Sequence, residues 1–482
     1  MPTPPPGDLP PDIFRAAAHR VADTTADYLA GVERFPVMPK IAPGDIAKEL
    51  SAAPPEAAES IDTILDDYKR LIEPNVTHWN HPGFMAYFGI TGSGPGVLGE
   101  MLAAGLNVNA MLWRTGPAPT ELEERVCDWL RQMLNLPPEF RGHINDTASI
   151  STMLALAAAR ERLPGLEIRQ HGMAGRLDLP ALTIYASEHA HSSVDKAAIA
   201  LGIGLDYVRR VGADKNFRLD PFVLEQAVAW DRKEGRLPMA IVATAGTTST
   251  TSVDPLKEIA AFCAKEKIWL HVDAAYAGSA AICPEMRTQF EGWEGADSIV
   301  VNPHKWLFTP VDCSVLLMRD PERLRAAFSL VPEYLRTNDG ALNLMDYGVQ
   351  LGRRFRSLKL WMVIRAFGVE GIRKRIREHC RLAQKFAEWV RSDGGFEVCA
   401  PVPFSTICFR ATPLMPPAGQ DHFNERLLAE VNAVGPVFLS HTRLNGRYVL
   451  RLAIGNLKTE ERHVRGAWET VCESARKLLA GG

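Results

Sequence analysis

Cysteine is scarce here and is not organised. There are eight in 482 residues, all scattered singly. No C-x-x-C pair and no Cys/His cluster at zinc spacing occurs, which argues against a structural metal site or a disulfide framework. The expectation is a protein of a reducing compartment, the cytoplasm, with no metal. Long apolar runs are missing too. None reaches the length needed to span a bilayer, and the Pro-rich opening, Met1 to Asp12, lacks the pattern of a signal peptide. Net charge is only −3, so the strong positive patch that nucleic acid or an anionic membrane would require is not expected. Neither partner is expected. No internal repeat is visible, and no low-complexity tract follows the first residues.

What is present is ordinary in composition, 46% hydrophobic and 23% charged, and long enough for one large domain and a smaller one. After the Pro-rich lead, Ile13, Phe14, Ala17, Val21, Tyr28 and Leu29 recur at helical spacing. A second helix is read over Glu59 to Leu71. These helices have little of their own to pack around and are expected to lie on another surface, a second subunit. An aromatic stretch follows, Thr77 to Phe88, of the kind that lines a pocket. Then come an apolar helix from Gly96 to Leu106 and a helix from Glu121 to Leu134, capped by Thr120. Asn145 to Ser149 precede an Ala- and Leu-rich helix, with Asp146 or Thr147 as N-cap. Small residues at such a start allow backbone N–H groups to approach a phosphate.

From Leu182 onward strands and helices alternate. Strands are read over Leu182 to Ala186, Tyr207 to Val211, Met239 to Thr244, Ile268 to Val272, Ser298 to Val301 and Cys313 to Met318. Such alternation implies an α/β fold with a mostly parallel sheet covered by helices. Ligands bind at the carboxyl ends of the strands in such sheets. His191, Thr248, Asp273, Asn302 and Lys305 all fall there. A lysine in Asn302-Pro303-His304-Lys305-Trp306, between two apolar runs, is out of place unless it is paired or reacting. An aspartate ends the strand before it. A lysine that carries the aldehyde and an aspartate that pairs with the ring nitrogen are the two anchors of a pyridoxal phosphate (PLP) site. Pro321 to Gly340 reads as a helix and then a polar loop with the composition of a lid. A long helix from Ser357 to Phe367 stops at Gly368, and another runs from Ile372 to Ser392. After Gly394 short strands and helices indicate a separate α+β domain.

Asn302 to Trp306, His271-Val272-Asp273-Ala274-Ala275-Tyr276-Ala277-Gly278 and Gly352-Arg353-Arg354-Phe355-Arg356-Ser357 together resemble the aromatic-L-amino-acid decarboxylases, a group II PLP family. The resemblance runs from about Pro11 to the C-terminus. It implies the PLP-dependent type I aminotransferase fold. That means a dimer-embracing helical segment over residues 1–90, a large PLP-binding domain over 91–375 and a small α+β domain over 376–482. It also implies a homodimer with active sites at the interface.

By that resemblance Lys305 would carry PLP and Asp273 would keep its ring nitrogen protonated. Ala148 and Ser149, helped by His304, would bind the phosphate. Asn302 and Thr248 would support the cofactor. His191 would stack on one face of the ring and Ala275 would pack on the other; His191 also reads as a plain helix-start residue. Tyr334 would return a proton to Cα. Relatives that make aldehydes with oxygen replace this tyrosine by phenylalanine or the stacking histidine by asparagine. Here both Tyr334 and His191 stand, which favours simple decarboxylation.

Trp79, Tyr87 and Phe88 match the aromatic wall of the family's substrate pocket. Asn109, Met111 and Gly89-Ile90 depart from the animal enzymes. Asn109 could bond a phenol or indole N–H, or only a neighbouring backbone. Gly352 sits where plant relatives use Gly for indolic and Ser for phenolic substrates. The expected substrate is an aromatic L-amino acid: Trp, 5-hydroxy-Trp, Tyr, DOPA or Phe. The rival readings are oxidative aldehyde synthesis, an aminotransferase with Arg451 on the α-carboxylate, and a PLP-binding module without turnover.

Overall fold

A computed structural model describes residues 8–330 and 342–481. Seven strands form its central sheet: β1 (Arg141–Asn145), β2 (Leu182–Ser187), β3 (Val208–Val211), β4 (Leu237–Thr244), β5 (Trp269–Asp273), β6 (Ser298–Val301) and β7 (Ser314–Met318). Their order is β1-β7-β6-β5-β4-β2-β3. Pairings from β3 through β6 are parallel, whereas β7 runs antiparallel to both β6 and β1. The parallel strands β2, β4, β5 and β6 are buried almost throughout. That is the consequence of helices covering both faces, and it explains their near-continuous apolar sequences.

β1 is a correction to the sequence reading, which passed over Arg141–Asn145. Its Gly, His and Asn carry little β propensity. It becomes a strand because β7 offers it a ladder, with Ile144 opposite Val315. The helix expected from Glu121 begins earlier, at Pro117, with Pro119 and Thr120 inside its first turn. Thr120 is therefore not the cap; its hydroxyl bonds back to the Gly116 carbonyl at 2.9 Å. Thr147 is the N-cap of the helix Ala148–Glu161. The helices around Gly368 are continuous from Arg356 to Ser392 except at that glycine, where φ is 62°. Only glycine adopts this conformation without cost, so the break falls there.

The C-terminal part carries a second, antiparallel sheet, ordered β10-β11-β9-β8. Its strands are β8 (Phe396–Val398), β9 (Thr406–Ala411), β10 (Ser440–Leu444) and β11 (Arg447–Ala453). β10 was not anticipated; it forms a two-residue hairpin with β11 through Asn445-Gly446, both at positive φ. This sheet packs against the second half of the long helix and the helices Pro417–Val434 and Glu461–Ala480 around a core of its own.

The helix Gly94–Leu106 is turned inside out. Its glycines face inward: a Cβ at Gly99 would stand 2.6 Å from the Lys359 backbone, and one at Gly96 would stand 2.2 Å from the Pro310 ring. Its large residues face outward, with Leu98, Met101, Leu102 and Leu106 each at least half exposed. No helix among the described residues is long and apolar enough to cross a membrane.

Candidate active site

A cavity of about 190 Å³ opens at the carboxyl ends of the central strands. β5 ends in Asp273, β6 leads into the short helical turn Pro303–Trp306, and the turns after β2 and β4 carry His191 and Thr248. Phe88, Ala148, Ser149, His191, Thr248, Asp273, Ala275, Asn302, His304 and Lys305 all line this cavity. Ten of the sixteen candidate residues thus meet in one place. Thr147, Thr244, Gly246 and Tyr276 join them. Sequence reasoning assigned no site role to these four. Gly246 carried a legible signal, since a glycine after a β-branched run marks a tight turn; its φ is 99°, and a Cβ there would meet that of Ala277 at 2.5 Å.

The Lys305 amine is 5.2 Å from the centre of the Phe88 ring. Burial pushes its pKa down, the Asp273 carboxylate opposes this, and the Arg451 cation adds to the depression. A buried amine lowered in this way is a better nucleophile toward an aldehyde near neutral pH. Asp273 is 7% exposed, and one of its oxygens accepts the Ala275 N–H at 3.1 Å.

His304 accepts the Cys313 N–H at Nδ1, 2.9 Å away, and its Nε2 lies 3.2 Å from the Asn302 amide. Burial, reinforced by the neighbouring Lys305, drops its pKa to about 3, so the ring is neutral. One end of the Asn302 amide and the Thr244 hydroxyl are buried with no partner among the described residues. Unpaired polar groups in a cavity wall are costly unless a polar ligand meets them. Beside them the helix Ala148–Glu161 begins without a side-chain cap, so its first N–H groups are free for an anion. A buried lysine amine, an aspartate, an uncapped helix start and a partly unpaired amide together fit a ring bearing an aldehyde, a basic nitrogen and a phosphate.

His191 accepts the Ser193 N–H at Nδ1, 3.1 Å away, in a part-buried bond, and the residue lines the cavity. It therefore makes the local helix-start bond and also lines the site. Burial lowers its pKa.

The aromatic wall is continuous. Phe88 stacks on Tyr276 at 3.9 Å and Tyr276 on Trp306 at 4.7 Å, while His379 lies edge to edge with Trp306 and nearly coplanar with it. His379 accepts from the Trp306 indole N–H at 2.9 Å and bonds the Asn456 carbonyl at 3.0 Å. Trp79 and Tyr87 do not line this cavity; their ring centres are 6.0 Å apart, both pack against Phe84, and Tyr87 adopts φ 52° and is 55% exposed.

Asn109, Met111 and Gly352 do not line this cavity. They form a separate cluster: the Asn109 Oδ1 accepts the Arg353 N–H at 2.9 Å, and its Nδ2 contacts the Met111 sulfur at 3.4 Å. Of the two roles open to Asn109, a bond to neighbouring backbone is the one observed, and its Nδ2 keeps donor capacity. A Cβ at Gly352 would stand 3.8 Å from that Nδ2. Tyr334 lies outside the described residues.

Residues 43–412 match the family described as the pyridoxal-dependent decarboxylase conserved domain. The chain belongs to the pyridoxal-dependent decarboxylase family. Its cofactor is pyridoxal 5′-phosphate, and it is an enzyme. Tryptophan decarboxylase 2 of Oryza sativa subsp. japonica is 42% identical over 97% of this chain and 95% of that protein. Phenylacetaldehyde synthase of Arabidopsis thaliana is also 42% identical, over 97% of this chain and 96% of its own. Overall identity therefore does not separate decarboxylases that release amines from aldehyde-forming relatives. Among solved structures, Oryza sativa TDC with PLP and tryptamine superposes with a TM-score of 0.94 at 37% identity, covering 98% of this chain and 99% of that one. Catharanthus roseus tryptophan decarboxylase in complex with L-tryptophan gives 0.91 at 38% identity, over 98% and 100%. The family's cofactor fits the lysine, aspartate and free helix N-terminus of the cavity. Arg451 does not line it, which leaves the aminotransferase reading without a carboxylate anchor there.

Proposed function

We propose that this enzyme removes the carboxylate of an aromatic L-amino acid as carbon dioxide and releases the aromatic amine. The observation that carries the reading is Lys305 and Asp273 lining one cavity with the uncapped start of Ala148–Glu161. When bound, PLP supplies a ring that accepts the electron pair left at Cα.

The chain's own residues do the rest. Lys305 would hold the cofactor through its amine, which lines the cavity. Asp273 would pair with the ring nitrogen and keep the ring electron-poor. Ala148, Ser149 and His304 hold the phosphate end, and Asn302 and Thr248 hold the sides. His191 and Ala275 fix the ring plane. By fixing the cofactor and the substrate, these residues would decide which bond at Cα is placed to break, so orientation would select the reaction. Trp79, Tyr87 and Phe88 exclude water and seat the aromatic side chain. Tyr334 donates the proton that returns to Cα; a phenol is protonated at neutral pH and can serve if held within reach.

We read the working unit as a homodimer. Support comes from the outward-facing Leu98, Met101, Leu102 and Leu106, and from Phe14, which is 60% exposed on the first helix. Apolar side chains arranged along one exposed face mark an interaction site. In a pair of chains, Asn109, Met111 and Gly352 would complete the partner's cavity, which they do not reach in their own. A location in the cytoplasm accords with eight unpaired cysteines.

The test is a substrate panel of Trp, 5-hydroxy-Trp, Tyr, DOPA and Phe, scored for carbon dioxide, amine and peroxide. Equimolar carbon dioxide and amine without peroxide is the expected result. Aldehyde with peroxide would assign the aldehyde-synthase chemistry instead. Tyr334→Phe should shift product from amine toward aldehyde and ammonia; unchanged amine output without peroxide would remove Tyr334 from the mechanism.

A further inference from the structure

The mechanism leaves Arg451 unused. It stands on β11, opposite Cys408 of β9, and is 3% exposed. Its guanidinium lies 4.5 Å from the centre of the Phe88 ring. Nε donates to the Ser249 carbonyl at 2.9 Å, and Nη1 donates to the Tyr87 carbonyl. Nη2 is buried with no partner among the described residues. No carboxylate among the described residues forms an ion pair with it; Cys408 and Tyr276 are the titratable groups that bear on it. An arginine buried without a counter-ion costs stability. Its placement therefore calls for a reason other than stability.

The bonds supply one. Ser249 adjoins Thr248, and Tyr87 adjoins Phe88, so a single side chain ties together two loops that border the cavity. Phe88 in turn contacts the Lys305 amine at 5.2 Å. The titratable groups facing Lys305 are Asp273, His191, His304 and Arg451. Asp273 supplies the negative charge, and burial disfavours the charged form of both histidines. Arg451 is the permanent cation of the set.

We propose that Arg451 is a positioning residue of the site, clamping Phe88 and the Tyr87 turn onto the Thr248 loop and standing as a fixed positive charge at the Phe88 ring that Lys305 also meets. The proposal rests on the reading of Lys305 as the cofactor-bearing lysine. Its effect is to keep the lysine amine unprotonated and ready for the aldehyde close to neutral pH, while Asp273 remains free to serve the ring nitrogen.

The full-length protein, stripped of cofactor, is mixed with PLP across a pH series, and capture is followed by absorbance and by borohydride trapping. Arg451→Gln and Arg451→Met should move the midpoint of the capture rate to higher pH and slow capture several-fold at neutral pH. Arg451→Lys keeps the charge and should keep the midpoint, while its looser wall lowers kcat. Midpoints in the Gln and Met variants equal to the parent's, with native far-UV circular dichroism, would overturn the proposal. So would a raised KM for the amino acid with an unmoved midpoint, which would put Arg451 on the substrate carboxylate. Should the Gln and Met variants fail to fold, a displaced midpoint in Arg451→Lys overturns it alone. Lys305→Ala separates the two readings: normal borohydride-stable capture by that variant would refute Lys305 as the cofactor lysine, not Arg451 as its neighbour.

Discussion

In the proposed chemistry Lys305 and Asp273, which line one cavity, carry the central roles, and each is open to a single substitution. Lys305→Ala should abolish the borohydride-stable PLP adduct and leave turnover near background. Asp273→Asn keeps size but loses the charge that retains the ring proton. It should lower kcat by about 10²-fold, the scale of losing one preorganised electrostatic partner, with a smaller change in PLP affinity. Near-normal kcat in Asp273→Asn would remove it from the electron-sink role. Both residues were legible from sequence because each sits where an apolar strand runs out. Arg451 was visible as a charge in an apolar strand, but not its position. Its neighbours Phe88, Ser249 and Lys305 are far from it along the chain, and only packing brings them together.

At the scale of elements, the helix Gly94–Leu106 carries the clearest constraint. Gly99 allows it to lie directly on the backbone of Lys359, with 2.6 Å left for any Cβ. Gly99→Ala should therefore push apart the two helices and cost about 1–3 kcal/mol, as overpacking does. Urea unfolding checks this; a change under ~0.5 kcal/mol would mean that the helices separate freely. The parallel strands were readable because burial on both faces leaves unbroken apolar runs. β1 was not, because Arg141–Asn145 becomes a strand through its partner β7 and not through propensity. The Pro117 start was missed for a related reason: a proline reads as a stop, yet it fits the first turn of a helix.

For the molecule as a whole, histidine burial predicts acid lability. His81, His271 and His379 are each lowered to about 4 and His304 to about 3, in every case chiefly by burial. The unfolded chain binds these protons near pH 6.5 and the native chain does not, so stability is full above pH 6.5 and falls as pH drops toward 4. Asp254, raised to about 7 by burial, works in the opposite direction: its proton favours the native state below pH 7. Burial also lowers His78, His143, His189 and His191 and raises Glu124 and Asp297, so eight histidines stand against three carboxyls and give a net loss. Tm should fall steadily from pH 6.5 to 4.5; a flat profile would contradict the burial. The proposed pairing of chains has its own test. Leu98→Asp with Leu102→Asp should yield monomers by sedimentation and reduce turnover strongly, because each chain would lose the partner's Asn109 and Met111. A dimer that survives both charges would place the interface elsewhere.

The stacked rings behind the cavity also give the protein an optical property. Trp306 follows Lys305 directly, stacks on Tyr276 and is held at its edge by His379, so its indole is a fluorophore beside a chromophore's binding place. Its emission will be extinguished as the vitamin derivative enters, and the protein thereby reports its own loading without any attached dye.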